Sequence, residues 1–379
     1  MRVAVDAHTL GSGQGGDETM LGGVLVGLSE TKAPEDVFPL FVASDGVLPE
    51  AVAGRSDFPV VQRMQRLPGV AHFPVRMPWL LYRNRRALAA ELIFAVNHGP
   101  VVSPVPVVLM IQDLSFFHRP DFYPLTDRIR LNQVMRRQAL RARAVATVSE
   151  FCRNDIIETF GVAGDRVFTI PNAITEPPPF DEADRAAGTR WLKEKGVDGP
   201  FVLYLGNLHP RKNLPRLIRA FLRAKDHDSV LEDCKLVIAG ARWWGEGAEE
   251  RAATERPDEI VLLGRISALE REWCMRLATA MAYVSLFEGF GLPPLEAMIR
   301  GTPVLTSNVT SLPEVTGEAS LQVDPLDEDA IADGLIKVVS DEVLRSDLID
   351  RGLDQARTFN TRRTGEAAMR AFHAAVALN

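Results

Sequence analysis

The chain has 379 residues, more than one hydrophobic core usually organises, so two domains are expected. With 46% hydrophobic and 25% charged residues, its composition is that of an ordinary globular protein, so disorder is not the default, and the chain carries no repeats and no low-complexity tract. The net charge of -7 conceals an asymmetry, because the stretch from Val60 to Ala144 holds thirteen arginines against four acidic residues, a +9 excess. Such a sector attracts anions, whether lipid headgroups, pyrophosphate-linked acceptors or nucleic acid, unless it is a solvated face paired with the acidic half. The three cysteines, Cys152, Cys234 and Cys274, fit neither a disulfide framework nor a zinc knuckle and are expected as buried thiols. Met1 runs directly into strand-like residues without a basic leader, a long apolar run or a cleavage site, so a cytoplasmic protein without a membrane span is expected.

In chain order, the first half alternates short β-branched runs with helical stretches, as a doubly wound parallel sheet requires. Its strands are predicted at Arg2-Asp6, Val37-Ala43, Leu92-Ala95, Val107-Ile111, Ala144-Val148 and Val167-Ile170. Pro171-Asn172 stops the pattern, and Glu176-Pro177-Pro178-Pro179 reads as a stiff linker before a charged helix. The alternation restarts at Phe201-Leu205, an apolar run typical of a strand buried on both faces. Lys235-Ala239, Ile260-Leu263, Ala282-Leu286, Pro303-Thr306 and Ser320-Val323 follow, and Thr361-Leu378 closes the chain as a helix. The expected organisation is an α/β protein of two Rossmann-like, doubly wound domains: residues 1–173, a linker and helix at 174–199, a second domain at 200–358, and a closing helix at 359–379.

The most informative stretch is Glu288-Gly289-Phe290-Gly291-Leu292-Pro293-Pro294-Leu295-Glu296. Its glycines expose backbone N–H groups beside a strand end, its prolines prepare a helix start, and two carboxylates flank the loop, an arrangement suited to an anion and to sugar hydroxyls. Taken by residue type alone, a Gly/Pro-rich turn of this kind is most often only a turn. A second motif, Gly206-Asn207-Leu208-His209-Pro210-Arg211-Lys212-Asn213-Leu214, puts adjacent cations at a strand end, where they can clamp a diphosphate or simply stand solvated at a helix start.

Together these stretches resemble the donor-binding half of the family 4 (group 1) retaining glycosyltransferases of the GT-B type. The similarity continues through Ala297-Val304 and Ser311-Val315, densely over the C-terminal half and in spaced patches over the N-terminal half. The resemblance implies that residues 1–173 form the acceptor side, that 200–358 bind the nucleotide sugar and that the helix at 359–379 returns to the first domain. It also implies that Glu288 contacts the transferred sugar, Glu296 binds ribose, and Arg211 and Lys212 neutralise the departing nucleoside diphosphate. Backbone atoms of Phe290, Gly291 and Leu292 would meet the sugar or phosphates, and those of Gly206, Arg265 and Ile266 the nucleotide. His209 stands where the family more often has an acid. Trp243-Trp244 either stack on the ligand or pack.

In the first half, Gly11-Ser12-Gly13-Gln14-Gly15-Gly16 formally matches a dinucleotide fingerprint, but Asp45 lies further along than the ribose-binding acid should. The resemblance gives Gly15 and Gly16, with Asp17, a role beside the donor phosphates and acceptor instead. Gln112-Asp113-Leu114 resembles the family's His-Asp-Leu element with Gln in place of His, so the sugar contact is weakened or moves to His98 or His118. Ser149-Glu150 faces the acceptor or caps the next helix. The family's chemistry is thought to be front-face, with the leaving phosphate helping to deprotonate the acceptor hydroxyl, so no protein nucleophile, metal or cofactor is expected. The expected partners are a nucleotide-sugar donor, GDP-mannose ahead of UDP-glucose and dTDP-rhamnose, and a saccharide or lipid-linked acceptor. Nucleic acid is not expected. The Arg-rich sector, with Phe73 and Trp79-Tyr82 before Arg83-Arg86 and with Arg130, Arg137 and Arg141 on one face of a helix, is expected to touch an anionic membrane surface peripherally. A catalytically silent nucleotide-binding scaffold and an NAD-dependent dehydrogenase are the alternative functions.

Overall fold

The computed structural model describes residues 1–12, 15–67, 71–241 and 255–378; among these, the side chains of 126, 127, 129 and 130 are not described. Gly13, Gln14, Trp243, Trp244 and the Arg130 side chain therefore lie outside the described residues. Two compact units are present, one formed by Met1–Thr175 with Phe359–Asn379, the other by Glu176–Thr358.

Unit 1 is built on seven parallel strands in the order β3-β2-β1-β4-β5-β6-β7. They are β1 (Val3–Ala7), β2 (Leu40–Ala43), β3 (Val60–Met64), β4 (Leu92–Val96), β5 (Val107–Met110), β6 (Ala144–Thr147) and β7 (Val167–Thr169). Every residue of β1, β2, β4 and β6 is buried, because helices cover both faces and each apolar run packs on two sides. β2 starts three residues later than its apolar run predicts. Pro39 has no N–H to donate and interrupts the ladder there, although the Val37 and Pro39 carbonyls still accept from the Val3 and Val5 N–H groups at 3.1 and 2.8 Å.

Helix α1 (Gly15–Thr31) follows β1, and α2 (Met77–Leu88), α3 (Leu125–Arg141) and α4 (Glu150–Phe160) follow in order. Ser149 caps α4 by accepting the Cys152 N–H at 3.1 Å.

Unit 2 opens with α5 (Glu182–Glu194), capped reciprocally by Asp181 and Asp184. Its six parallel strands run in the order β10-β9-β8-β11-β12-β13. They are β8 (Phe201–Leu205), β9 (Lys235–Ala239), β10 (Ile260–Gly264), β11 (Ala280–Tyr283), β12 (Val304–Ser307) and β13 (Leu321–Val323). The helices between and after them are α6 (Leu214–His227), α7 (Ala268–Leu277), α8 (Leu292–Met298), α9 (Leu312–Thr316), α10 (Glu328–Ser340) and α11 (Glu342–Arg357). α12 (Thr361–Ala377) then packs on α1 within unit 1. The contact is backbone on backbone: a Cβ on Gly27 would stand 2.2 Å from the Thr361 carbonyl oxygen, and one on Gly365 would stand 2.1 Å from that of Gly27. Cys152, Cys234 and Cys274 are free thiols buried in the two units. Among the described residues, no helix is long and apolar enough to cross a membrane.

Candidate active site

In each sheet the strand order reverses once, and such a reversal opens a crevice beyond the carboxyl ends of the two strands concerned. In unit 2 the reversal falls between β8 and β11, which pair directly. The Arg211-Lys212 turn leaves β8 and the Glu288 loop leaves β11, so two motifs about 76 residues apart in sequence meet at this point.

Three charged residues join there. Arg211 Nη1 and Lys212 Nζ each stand 2.6 Å from a different oxygen of the Glu288 carboxylate. Glu288 and Lys212 are buried, and the Arg211 side chain is partly open. Lys212 also donates to the hydroxyl of Tyr283, and its ammonium lies 4.6 Å from the centre of that ring. Burial alone pushes the Glu288 carboxyl up, but the charges of Arg211 and Lys212 outweigh it and hold the group at about 2. Burial, reinforced by the neighbouring Glu288 charge, raises the Tyr283 phenol well above its ordinary value.

The turn that presents the cations is fixed locally. His209 Nδ1 accepts the Arg211 N–H at 3.2 Å and so caps the turn. Asn213 adopts a left-handed conformation, φ 61°, that few residues other than Gly and Asn tolerate. Its amide donates to the carbonyls of Val284 and Pro325 at 3.0 and 2.7 Å, stitching the turn to the loop after β11. On the other side Ser311, fully buried, donates to the carbonyls of Glu288 and Phe290, while Thr310 Oγ1 accepts the Glu288 N–H at 3.2 Å. Gly291 has φ 104° and lies so close to Leu312 that a Cβ would stand 2.6 Å from its Cδ2. Phe290 is buried and Leu292 begins α8.

Glu296, one turn into α8, is mostly buried and paired with the Arg271 guanidinium from α7. Arg300 binds the Glu296 carbonyl at 2.8 Å and pairs with Glu272. Sequence reasoning did not anticipate the Arg271 partner. Gly206 follows β8 and Gly240 follows β9, and a Cβ on Gly240 would stand 1.8 Å from the Gly206 carbonyl oxygen. Two bare backbones therefore run side by side, with the exposed Arg265 and the half-buried Ile266 beyond the neighbouring β10.

Unit 1 has its own reversal between β1 and β4. Asp17, in the first turn of α1, accepts from the Asn97 amide at 2.7 Å and from the Gln112 amide. Burial raises the Asp17 carboxyl, with Asn97 opposing. A Cβ on Gly16 would stand 3.5 Å from Gln112 Oε1, so Gly16 lies against the Gln112 amide, while Gly15 has open space around it. Asp113 turns away to bind the N–H and hydroxyl of Ser115 at 2.9 and 2.6 Å. His118 pairs with Asp155 at 2.6 Å, and His98 packs against Phe73. Asp45 is exposed and paired with Arg66. A second cluster, absent from the sequence expectations, joins Asp6, His8 and His72 at the end of β1.

Two all-parallel Rossmann-like units, one of them carrying a buried cation–carboxylate triad at its switch point, define a protein of the GT-B class. The model for glycosyl transferases group 1 matches residues 189–355, and that for glycosyltransferase family 4 matches residues 36–176. The chain belongs to this group 1, family 4 of glycosyltransferases. It is 33% identical over 265 residues to the O-antigen chain mannosyltransferase B of Escherichia coli, a match covering 67% of this chain and 66% of that protein. It is 31% identical over 247 residues to the serotype-specific mannosyltransferase WbdA of the same organism, covering 61% of this chain and 29% of that one. Among solved structures, sucrose-phosphate synthase from Thermosynechococcus elongatus shares the fold at a TM-score of 0.74 and 19% identity, covering 100% and 99% of the two chains. HepE of Anabaena in complex with UDP and glucose does so at 0.69 and 17%, covering 98% and 100%.

Proposed function

We propose that the protein is a retaining hexosyltransferase that moves a mannose-type sugar from a nucleotide diphosphate to a hydroxyl of a saccharide or lipid-linked acceptor during polysaccharide or glycoconjugate assembly. The observation that carries this reading is the Arg211–Glu288–Lys212 triad at the switch point of unit 2. Two cations locked by a buried carboxylate are already oriented when negative charge grows on a departing diphosphate, so little reorganisation opposes the transition state. Arg211, the more open of the two, meets the diphosphate, while Lys212 supplies charge from behind it. No divalent ion is assigned to this step, since the side chains supply the positive charge.

Glu288 holds both cations and orients the sugar, and backbone atoms of Phe290, Gly291 and Leu292 line the sugar and phosphates. Gly206, Arg265 and Ile266 border the nucleotide, and Glu296 receives the ribose hydroxyls with Arg271 fixing its carboxylate. In unit 1, Gly15, Gly16, Gln112 and Asp113 belong to the acceptor side. With its Nε2 committed to Asp17, Gln112 presents Oε1 as the end to which a sugar hydroxyl can donate. The proton of the acceptor hydroxyl leaves with the diphosphate, so no protein nucleophile is required. GDP-mannose leads because several relatives that match this chain are named mannosyltransferases. UDP-glucose and dTDP-rhamnose come next.

The test is a thermal-shift panel of nucleotide sugars followed by transfer and hydrolysis assays. A donor present at 100 times its Kd stabilises by about 2.7 kcal/mol. A transferred sugar of inverted anomeric configuration would refute retention. Donor binding without turnover would make the protein the silent scaffold that Gln112 allows.

A peripheral contact with the cytoplasmic face of a membrane forms part of this reading. Val75, just before α2, and Trp79 and Tyr82 within it are 66%, 54% and 43% exposed, and the Arg83 guanidinium lies 4.8 Å from the Trp79 ring. Arg85, Arg86, Arg136, Arg137 and Arg141 are exposed as well. Each cation near an anionic bilayer contributes about 1 kcal/mol. Co-sedimentation should be stronger with anionic than with neutral vesicles and weaken with salt; equal binding to both would reject the contact.

A further inference from the structure

We propose that Asp6, His8 and His72 form a binding site for one divalent transition-metal ion of the zinc class, with a further coordination position open to water or to a substrate oxygen. Asp6 lies near the end of β1 and His8 in the turn just beyond it, and the two side chains meet there. His72 reaches them from the segment before α2, 66 residues away from Asp6 in the chain. The Asp6 carboxylate is fully buried and His72 nearly so, whereas about a quarter of the His8 side chain remains exposed. Asp6 Oδ1 lies 2.8 Å from His8 Nδ1, and Oδ2 lies 3.0 Å from His72 Nε2. One ligand atom from each of the three residues falls within 4.8 Å of the other two.

The donor set narrows the ion. Two imidazoles and one carboxylate suit zinc and its first-row neighbours, while magnesium and calcium seek near-complete oxygen shells. In the metal-free form the ring N–H groups point at the carboxylate. An ion at about 2.0–2.2 Å from each donor takes the place of those protons, and each ring then carries its proton on the other nitrogen. Donors around a tetrahedral ion stand about 3.4 Å apart. The present contacts of 2.8 and 3.0 Å go to the two different Asp6 oxygens, so a single ion draws both rings toward one carboxylate.

The surroundings hold the ligands in place. The backbone N–H of His8 donates to Asp6 Oδ1 at 3.3 Å, and Phe73 packs edge-on against both imidazoles, which lie 4.2 Å apart. Three protein ligands leave a position open, and the exposed side of His8 is where it reaches solvent.

The test uses the full chain, free of any affinity tag, stripped with chelator and titrated with Zn²⁺ by calorimetry and with Co²⁺ by visible absorption. One ion per chain and a four-coordinate cobalt spectrum are expected. His8→Gln and His72→Gln should weaken binding at least tenfold. His8 is partly exposed, so its variant keeps the test interpretable if the buried one fails to fold, as circular dichroism would report. Absence of stoichiometric uptake, or uptake unchanged in His8→Gln, would overturn the site. Neither readout depends on sugar transfer.

Discussion

Replacing Glu288 by Ala removes the group that holds Arg211 and Lys212 together. The Lys212 ammonium then stays buried beside Tyr283 without its carboxylate, and removing one member of a buried ion pair typically costs about 3–5 kcal/mol. An independent route gives a similar size. The carboxyl titrates at about 2 in the folded protein against an ordinary 4.5, and that gap corresponds to about 3 kcal/mol. For a unit of roughly 180 residues, 3 kcal/mol lowers the unfolding midpoint by about 6–12 °C. The sign with pH follows from the depressed folded value. The contribution is complete above 4.5 and is lost as pH falls from there toward 2, so the gap between wild type and Glu288→Ala should shrink by about 1.4 kcal/mol between pH 7 and pH 3.5. Denaturant unfolding followed by tryptophan fluorescence measures it, because four of the five tryptophans, Trp191, Trp243, Trp244 and Trp273, lie in unit 2. A loss below about 1 kcal/mol at pH 7, or one that does not change with pH, would refute the account of the triad.

Arg211→Ala or Lys212→Ala should lower turnover by on the order of a hundredfold or more with donor in excess, measured by product formation; near-normal rates in both would remove the diphosphate clamp. Glu296→Ala should raise the donor KM more than it lowers kcat, because a ribose contact is made equally in ground and transition states, and steady-state kinetics showing the reverse would place the carboxylate in the chemistry. Gly27→Ala should destabilise unit 1 by about 1–3 kcal/mol in denaturant titration, since a methyl cannot fit against the Thr361 carbonyl unless α1 and α12 part; a neutral effect would contradict the packing described for these helices.

Much of the architecture was legible because parallel strands buried on both faces read as continuous apolar runs. β8 and β9 fall where those runs place them. β3 was missed for the converse reason: it is an edge strand whose Gln62 and Arg63 face solvent, so no apolar run marks it. β11 lies two residues earlier than its apolar run, because Val284-Leu286 belong to the loop that carries the site and are held there by Asn213 and the Arg211 carbonyl. The stretches that carry Arg211, Lys212, Glu288 and Glu296 stood out through their resemblance to the family rather than through spacing alone, and the pairings among these residues were not legible at all. Lys212 meets Glu288 across 76 residues and Gln112 meets Asp17 across 95, and only the strand order brings them together. The same holds for Asp6, His8 and His72, for which Asp-x-His at a strand end was the one available signal.

α12 lies after all of unit 2 in the sequence yet completes the packing of α1. On the ribosome, synthesis is directional, so unit 2 emerges as one continuous stretch and can close its core while unit 1 still lacks its last helix. Until translation reaches Ala377, the rings of Phe38 and Phe94 against which Phe372 packs, and the side of α1 that α12 covers, are open to chaperones and to other nascent chains. Frameshifts and premature stops late in the message should therefore damage the amino-terminal unit first, and a protease added to stalled chains should cut there while sparing residues 176–358.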